Sequence, residues 1–418
     1  MTERVGERRV VITGLGVVAP NGIGKERFWH ATTKGISGIK PIKRFTSAEL
    51  PIQVAGEVSD FAAEDVIDRK LAKRSDRMTH FALAAVQEAM RDAGIALARE
   101  NPHRVGAVIA NTFGGVEYVL EQVEALHVRG PRFMSAYTAI AWLQVANVGQ
   151  VSVQYGIQGY CKTPVNDTVG GLDALGMAYN AIKRGAADVL ITGGSEALLH
   201  PCVLLVLGHS EHYATGADTC AYRPFDRRAT GLALAEGAGI CILEEYEHAR
   251  SRDARIYGEI TGYGQSNSAN GTATPVASGK QYARAIKLAL QEALLTVEDI
   301  GYISLDGRAV PTWDQDEAAA LHQVFGPAIA HLPLSVPRTM LGHSYAAAGA
   351  LDAITALLAL RDGIIPPTIN CGEVDPRYGL ANLVRDEARA LHTGARAALI
   401  GGRSLGGANV ALAIARPT

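Results

Sequence analysis

Short runs of β-branched residues alternate with longer segments of helical periodicity along most of the chain, and this alternation limits the fold more than any other feature. Helical patterns include residues 76–93, 281–294 and 346–361. Parallel strands need a crossover connection, usually a helix, so the pattern predicts an α/β protein with buried sheets. The predicted strands cover residues 8–16, 104–112, 187–194, 237–245, 257–264, 299–307 and 395–404.

A four-residue motif in the first predicted strand is echoed in the second part of the chain. Residues 13–16 read Thr-Gly-Leu-Gly, and residues 261–264 read Thr-Gly-Tyr-Gly. No Pro/Ser-rich linker or low-complexity tract separates the two regions. The repeated motif and the repeated strand–helix order predict two similar halves packed into one compact unit.

Composition and charge argue against several classes of function. The 418 residues carry a formal net charge of −2, which gives no reason to expect a nucleic acid or an anionic membrane as partner. The 12 His residues lack metal-ligand spacing, so no metal site is expected, and the 5 Cys residues form no CxxC motif and fit a reducing cytosol. No apolar run approaches the roughly 20 residues that span a bilayer. The charged opening MTERVGERR leads into a strand without a signal region, so we expect a cytoplasmic protein.

The segment VNDTVGGLDALG has the form of a nucleophile elbow, in which a turn of small residues leads into a helix. Leu172, Leu175, Tyr179 and Ile182 recur at helical spacing and predict an amphipathic helix. The N-terminus of a helix stabilises an anion, so a cysteine at this turn would readily become a thiolate. This chain has Thr168 at the turn instead.

Four motifs carry a resemblance to the β-ketoacyl-acyl-carrier-protein synthases. In chain order they are RRVVITGLGVVAPNGIGKERFW, FDRRATGLALAEGAGICILEE, TMLGHSYAAAGALDA and GGRSLGGANVAL. The resemblance covers essentially the whole chain. It implies a thiolase-like α/β fold with two similar βαβαβαββ halves in five layers (α-β-α-β-α), residues 1–255 forming the N-terminal half and residues 256–418 the C-terminal half.

The positions that carry catalysis in active members of that family are changed in this chain. Where their elbow reads Cys-Ala-Ser-Gly, the nucleophile position is Thr168. The run DGRAVPTWDQDE matches the first-histidine motif, and its His position is Asp306. Arg338 replaces the Lys that precedes the second histidine, and His343 is retained. Leu405 stands where the family usually has a gating Phe.

These replacements argue against condensation chemistry. A helix dipole contributes roughly 0.3–1 kcal/mol, far too little to ionise an alcohol. An anion at position 306 opposes a developing oxyanion, and loss of one oxyanion donor alone typically costs roughly 3–4 kcal/mol. We expect Thr168 to act as a turn hydroxyl bonded to nearby backbone and His343 to hold loop backbone. A buried ion pair between Asp306 and Arg338 is a further hypothesis.

A ketosynthase fold without its nucleophile is typical of the chain length factors, the ketosynthase beta subunits of type II polyketide synthases, which this chain resembles. The resemblance implies an obligate heterodimer with an active ketosynthase and an interface tunnel that sets the length of a polyketide or polyene chain. It also implies an acyl carrier protein that brings the phosphopantetheine, with no cofactor on this chain. The segment GYCKTPVND resembles the strand that pairs across the two-fold axis of such dimers.

One helical face is expected to line that tunnel. The resemblance places the tunnel-floor positions at Val116, Val119 and Val123, whose spacing of three and four puts them on one face. Such small side chains predict a deep or straight tunnel, although all three could instead be simple interface core. The resemblance also places Phe113, Tyr137 and Thr138 at this interface.

Two alternatives stay open. The chain could be an active synthase or malonyl-carrier-protein decarboxylase that uses Thr168 and His343, or a structural partner that only keeps the active subunit folded.

Overall fold

A computed structural model describes residues 8–269 and 278–417. Residues 1–7, which hold most of the charged opening, lie outside that description. One continuous mixed sheet holds the short strand Gly22–Ile23 and ten core strands. In the first half they are β1 (Val10–Ala19), β2 (Val105–Ala110), β3 (Cys161–Lys162), β4 (Val189–Glu196) and β5 (Gly237–Glu245). In the second half they are β6 (Gly258–Asn267), β7 (Ile300–Ser304), β8 (Leu334–Ser335), β9 (Ala397–Arg403) and β10 (Ala408–Ala415).

Six longer helices connect or cover these strands. They are α1 (Arg77–Ala93), α2 (Val116–Arg129), α3 (Gly170–Lys183), α4 (Lys280–Ala293), α5 (Pro311–Phe325) and α6 (Ala346–Asp362). Shorter α-helices cover Lys25–Thr33, Arg69–Ala72, Thr138–Ala141, Ala146–Tyr155, Pro201–Leu207 and Tyr246–Ser251. Short strands cover Gly22–Ile23, Ile39–Pro41, Val54–Gly56, Ile364–Ile365 and Arg389–Ala390. Within the described residues, no helix is both long and apolar enough to cross a membrane.

The order of the strands repeats between the two halves. The first half runs β3-β2-β4-β5-β1 and the second runs β8-β7-β9-β10-β6, so each half has the order third, second, fourth, fifth, first. The two half-sheets join edge to edge through the antiparallel pair β1–β6, where Val10 lies opposite Ile260. The predicted arrangement of two similar βαβαβαββ halves is confirmed.

The echoed glycine motif has the same packing role in each half. A Cβ atom on Gly14 or Gly16 would overlap a backbone carbonyl of α1, from Ala89 or Ala85. The glycines at positions 262 and 264 meet α4 in the same way, at the carbonyls of Ala289 and Ala285. Each half therefore needs glycine at both places because its outer helix lies directly on its first strand.

The two central helices α3 and α6 lie between the half-sheets, and each contacts strands of both. With α1 and α4 on the outer faces, this completes the five layers. The amphipathic pattern predicted for α3 is wrong in one respect. Eleven of its residues are buried, including Gly170 and Asp173, because a helix covered by a sheet on each side has no solvent face.

His248 ties the short helix after β5 to two carboxylates. Its Nδ1 lies 2.8 Å from Glu244 and its Nε2 lies 2.9 Å from Glu100. The hydrogen bond to Glu244 is the main cause that raises the pKa of His248 to about 9, and Glu100 adds to it against the opposing effect of burial.

We expect His248→Gln to destabilise the protein at pH 6 and to have little effect at pH 10. The folded-state pKa lies above the unfolded value of about 6.5, so the stabilisation is complete below that value and is lost as pH rises through about 9. Because the His248 side chain is 22% exposed and solvent screens part of each pair, the expected loss at pH 6 is about 1 kcal/mol or less. Denaturant unfolding at the two pH values measures it, and an equal effect at both would contradict the assignment.

Candidate functional site

The elbow lies where the N-termini of the two central helices meet. A single 3₁₀ turn, Asp167–Val169, precedes α3, and Asp167 has a left-handed backbone with φ +49°. A Cβ atom on Gly171 would overlap the carbonyl oxygen of Ala346, the first residue of α6. The small residues of the elbow therefore allow α3 and α6 to begin side by side.

Thr168 is buried at this turn, and both roles of its hydroxyl are taken. The hydroxyl donates to the backbone carbonyl of Arg403 at 2.7 Å and accepts from Arg308 Nη2 at 2.6 Å. The prediction of a bond to nearby backbone is wrong about the partner, because the second half brings the end of β9 over the elbow. The hydroxyl proton points at a carbonyl, which is not a general base.

Asp306 is the centre of a buried ion cluster. The predicted pair with Arg338 is present, with Arg338 Nη1 2.8 Å from the carboxylate. Two further guanidinium groups, which the sequence did not assign, contact the same carboxylate: Arg308 Nε at 3.0 Å and Arg403 Nε at 3.2 Å. Burial opposes ionisation of Asp306, but Arg308, Arg403 and Arg338 together hold its pKa well below the usual range.

Other carboxylates balance the remaining positive charge. Arg338 Nε donates to Asp352 at 2.6 Å, and Arg403 Nη2 contacts Glu317 at 3.0 Å. Burial opposes the protonated form of Arg338, yet Asp352 and Asp306 raise its pKa above the ordinary value. Asp316, also buried, lies 3.6 Å from Arg403 Nη1, so three buried arginines face four buried carboxyl groups. Low-dielectric surroundings tolerate buried charges only when each is paired.

An aromatic ring completes the surroundings of two of the arginines. The Trp313 ring centroid lies 4.5 Å from the guanidinium carbon of Arg308 and 5.4 Å from that of Arg403. Cations over aromatic faces are stabilised electrostatically, more so when water is excluded. The sequence contained a feature that could have indicated these two residues. Arg308 and Arg403 are each the only basic side chain in an apolar, glycine-containing segment of one of the family motifs, which suggests a buried arginine.

His343, which the resemblance places as the retained second histidine, is engaged inside the same cluster. Its Nε2 lies 3.1 Å from Arg338 Nη1, and its Nδ1 lies 3.2 Å from the backbone nitrogen of Tyr345. Burial, Arg338 and Arg308 lower the pKa of His343 well below the usual range, so the ring is neutral. Contact with the loop backbone agrees with the structural role expected for it.

Leu405, at the predicted gate, belongs to the loop between β9 and β10. Its backbone N–H donates to Asp167 Oδ2 at 2.7 Å, so this hydrogen bond holds the loop against the elbow.

The site as a whole combines three groups that do not favour condensation. They are a threonine hydroxyl that donates to a carbonyl, a carboxylate at the first-histidine position and a neutral imidazole beside a guanidinium group. A developing oxyanion would meet the charge of Asp306.

The three valines lie on the outward side of α2, as their spacing predicts. Val116 is half-buried and Val123 is 37% exposed. Val119 lines a surface cleft of about 460 Å³ together with Thr138 and Trp142. Thr138 itself is buried, its hydroxyl donating to the Ser135 carbonyl at 2.7 Å.

An apolar patch extends from α2 to the segment before the elbow. Of the fifteen large hydrophobic side chains that are exposed in the described residues, ten lie between residues 123 and 165. The patch consists of Val123, Val128, Phe133, Met134, Tyr137, Ile140, Trp142, Val145, Val153 and Val165. A concentration of exposed large apolar side chains in one stretch of the chain favours an interaction site there.

The same stretch of chain contains a sheet edge. Strand β3 is the last in its half-sheet and pairs with β2, Cys161 lying opposite Ala107. No strand of the described chain pairs with its other side. Because an open edge presents unpaired backbone groups, it favours pairing with another chain.

Comparisons with known proteins agree with the fold. The descriptions "Beta-ketoacyl synthase, N-terminal domain" and "Beta-ketoacyl synthase, C-terminal domain" match residues 7–249 and 257–372. The tetracenomycin polyketide synthase ketoacyl synthase beta subunit of Streptomyces glaucescens is 39% identical over 97% of this chain and 98% of its own. The 3-oxoacyl-[acyl-carrier-protein] synthase 2 of Staphylococcus aureus (strain COL) is 34% identical over 92% of this chain and 93% of its own.

Solved structures of other proteins are also similar to this chain. The ishigamide ketosynthase/chain length factor superimposes with a TM-score of 0.91 and 30% identity, covering 99% of this chain and all of its own. The chain belongs to the beta-ketoacyl synthase family and has its thiolase-like fold. Within that family it is similar to the ketosynthase beta subunits, the chain length factors of type II polyketide synthases.

Proposed function

We propose that this chain is a non-condensing chain length factor of a type II polyketide synthase, a subunit that shapes a cavity for its partner's reaction. The observation that carries the proposal is the ion cluster in the position of the catalytic pocket. Asp306, Arg308 and Arg403 fill it, and the Thr168 hydroxyl is bonded on both sides. An acyl-transfer nucleophile needs an adjacent base, which this hydroxyl lacks.

The proposed partner is an active ketosynthase in an obligate heterodimer. The apolar patch and the open edge of β3 support it, because exposed apolar side chains and unpaired backbone groups both favour contact with a second chain. The similar ishigamide structure is described as a ketosynthase/chain length factor, which supports the same pairing.

An acyl carrier protein is the proposed second partner and brings the phosphopantetheine arm with the growing chain. Another similar structure, with a TM-score of 0.88 and 28% identity over 98% of this chain and all of its own, is described as a type II PKS acyl-carrier protein in complex with its ketosynthase. On this proposal the chain needs no cofactor of its own, and α2 lines the tunnel that sets product length.

The proposal predicts that Thr168 carries no acyl group. The reconstituted heterodimer is given labelled malonyl-carrier protein, and this subunit is digested and searched by mass spectrometry for an acyl adduct. We expect none, and we expect Thr168→Ala to support the same turnover per folded heterodimer as the matched control Thr168→Ser. Because Thr168→Ala leaves Arg308 Nη2 without this acceptor, a stability loss of about 1–3 kcal/mol is expected and is measured separately.

The relation to an active synthase favours one alternative, in which Thr168 and His343 perform condensation or decarboxylation. That alternative predicts an adduct on Thr168, loss of turnover in Thr168→Ala and recovery in Thr168→Ser. Either an adduct or such a loss would end the proposal of a non-condensing subunit.

A further inference from the structure

Three aromatic rings, those of Phe113, Tyr345 and Tyr213, form a layer on the buried side of Val116. The Phe113 and Tyr345 ring centroids are 5.0 Å apart, with planes at 78°. The Tyr345 hydroxyl bonds to that of Tyr213, and both tyrosines are buried. Phe113 and Val116 pack on the hydrophobic cluster that contains these tyrosines, and each is half-buried. The layer therefore continues inward from the outward face of α2.

The backbone at Tyr345 is strained to hold this ring in place. Tyr345 precedes α6 with φ +45° and ψ −119°, a conformation that side chains other than glycine's rarely adopt. Such outliers cost of order 1–3 kcal/mol and persist where the surroundings require them. The surroundings here are the Tyr213 hydroxyl, the Phe113 ring and the His343 ring at 6.0 Å.

Phe113 is also fixed from its backbone. Glu196, at the end of β4, is fully buried and accepts from the N–H groups of Thr112 at 2.8 Å and Phe113 at 3.2 Å. The segment before α2 is therefore tied to the central sheet. A ring fixed at both backbone and side chain forms a rigid boundary.

We propose that Phe113, Tyr345 and Tyr213 form the end wall of the acyl tunnel, which makes them specificity-determining residues for chain length. This inference rests on the proposed function. The small valine side chains at 116, 119 and 123 leave room for an acyl chain along the outward face of α2. On this proposal, an acyl chain that extends past them next contacts the Phe113 ring, which packs against the Tyr345 ring. Ring carbons and valine methyl groups make this wall apolar, so it fits the apolar end of a chain.

The experiment measures the length of the carrier-bound product by mass spectrometry in the reconstituted heterodimer. Phe113→Ala is expected to lengthen the product by at least one extender unit, because it removes the ring nearest the tunnel. Tyr345→Leu, which withdraws the supporting ring, is expected to do the same. Phe61→Ala is the matched control: Phe61 is also half-buried and its ring centroid lies 5.0 Å from that of Phe81, but it is not part of the proposed wall, so product length is expected to stay unchanged.

Phe113→Leu is the milder variant if the alanine variant does not fold. It is expected to increase the fraction of longer product, but by less than Phe113→Ala. A separate arm, Val116→Trp, tests the proposed function itself. Unchanged length in the folded Phe113 variants, together with a shorter product in Val116→Trp, would overturn the end wall and leave the proposed function standing. Unchanged length in every variant would overturn both.

Discussion

Asp306→Ala is expected to destabilise the subunit by about 3–5 kcal/mol, the cost of leaving buried charges without their partner. Its carboxylate contacts Arg308, Arg338 and Arg403, and all four side chains are 1% exposed. Removing it leaves three arginines to share the charges of Asp352, Glu317 and Asp316. Denaturant unfolding of the wild type and the variant measures the difference, which we expect as a large fall in midpoint or as loss of folded protein.

Glu373→Ala is the matched control, because it also breaks a carboxylate–arginine pair. Glu373 pairs with Arg227 at 3.0 Å, but the two side chains are 59% and 53% exposed. Exposed pairs contribute about 0–1 kcal/mol, so this variant is expected to unfold close to the wild type. Equal changes in the free energy of unfolding for the two substitutions would show that the buried cluster stabilises the protein no more than an exposed ion pair does.

The loss of stability caused by Asp306→Ala is expected to become smaller only when the pH falls into the acid range. Because the folded-state pKa of Asp306 is depressed, its contribution is present at pH values above the unfolded value of about 3.9 and is lost as pH falls through the folded-state pKa. The difference between wild type and variant should therefore stay constant from pH 8 to about pH 5 and shrink only in stronger acid.

Val116→Trp is expected to shorten the product of the reconstituted heterodimer. Val116 begins α2 and is half-buried on its outward side, so an indole there would extend into the proposed tunnel and end the chain earlier. Mass analysis of the carrier-bound chain measures the length. A purely structural partner would change yield and leave length unaltered, which is the result that would contradict a templating role.

Leu294→Trp is the matched control away from the apolar patch. Leu294 directly follows α4 in the second half of the chain. It is 63% exposed, so an indole there fits without repacking the core. We expect an unchanged product length per folded heterodimer, since Leu294 belongs neither to α2 nor to the surface proposed to meet the partner.

Local sequence predicts most of the secondary structure. The β-branched pattern over residues 237–245 matches the bounds of β5, and the helical pattern over 346–361 matches α6 to within one residue. Periodicity does not predict β3 or β8, because strands of two residues have no periodicity to detect. A strand near β3 is expected only from the resemblance of GYCKTPVND. Periodicity also misjudges α3, because an apolar stripe does not reveal that a second sheet covers the opposite face.

The sequence by itself determined the duplicated α/β order and the identity of the changed positions, Thr168, Asp306 and Arg338, because hydrophobic periodicity and motif order are local properties. Only the tertiary structure decided what those residues bind. Thr168 and Arg403 are 235 positions apart, and Asp306 and Arg403 are 97 apart. A hydroxyl or a carboxylate bonds whichever groups packing brings within about 3 Å. Since burial makes every unpaired charge costly, that packing also determines which charges the core can hold.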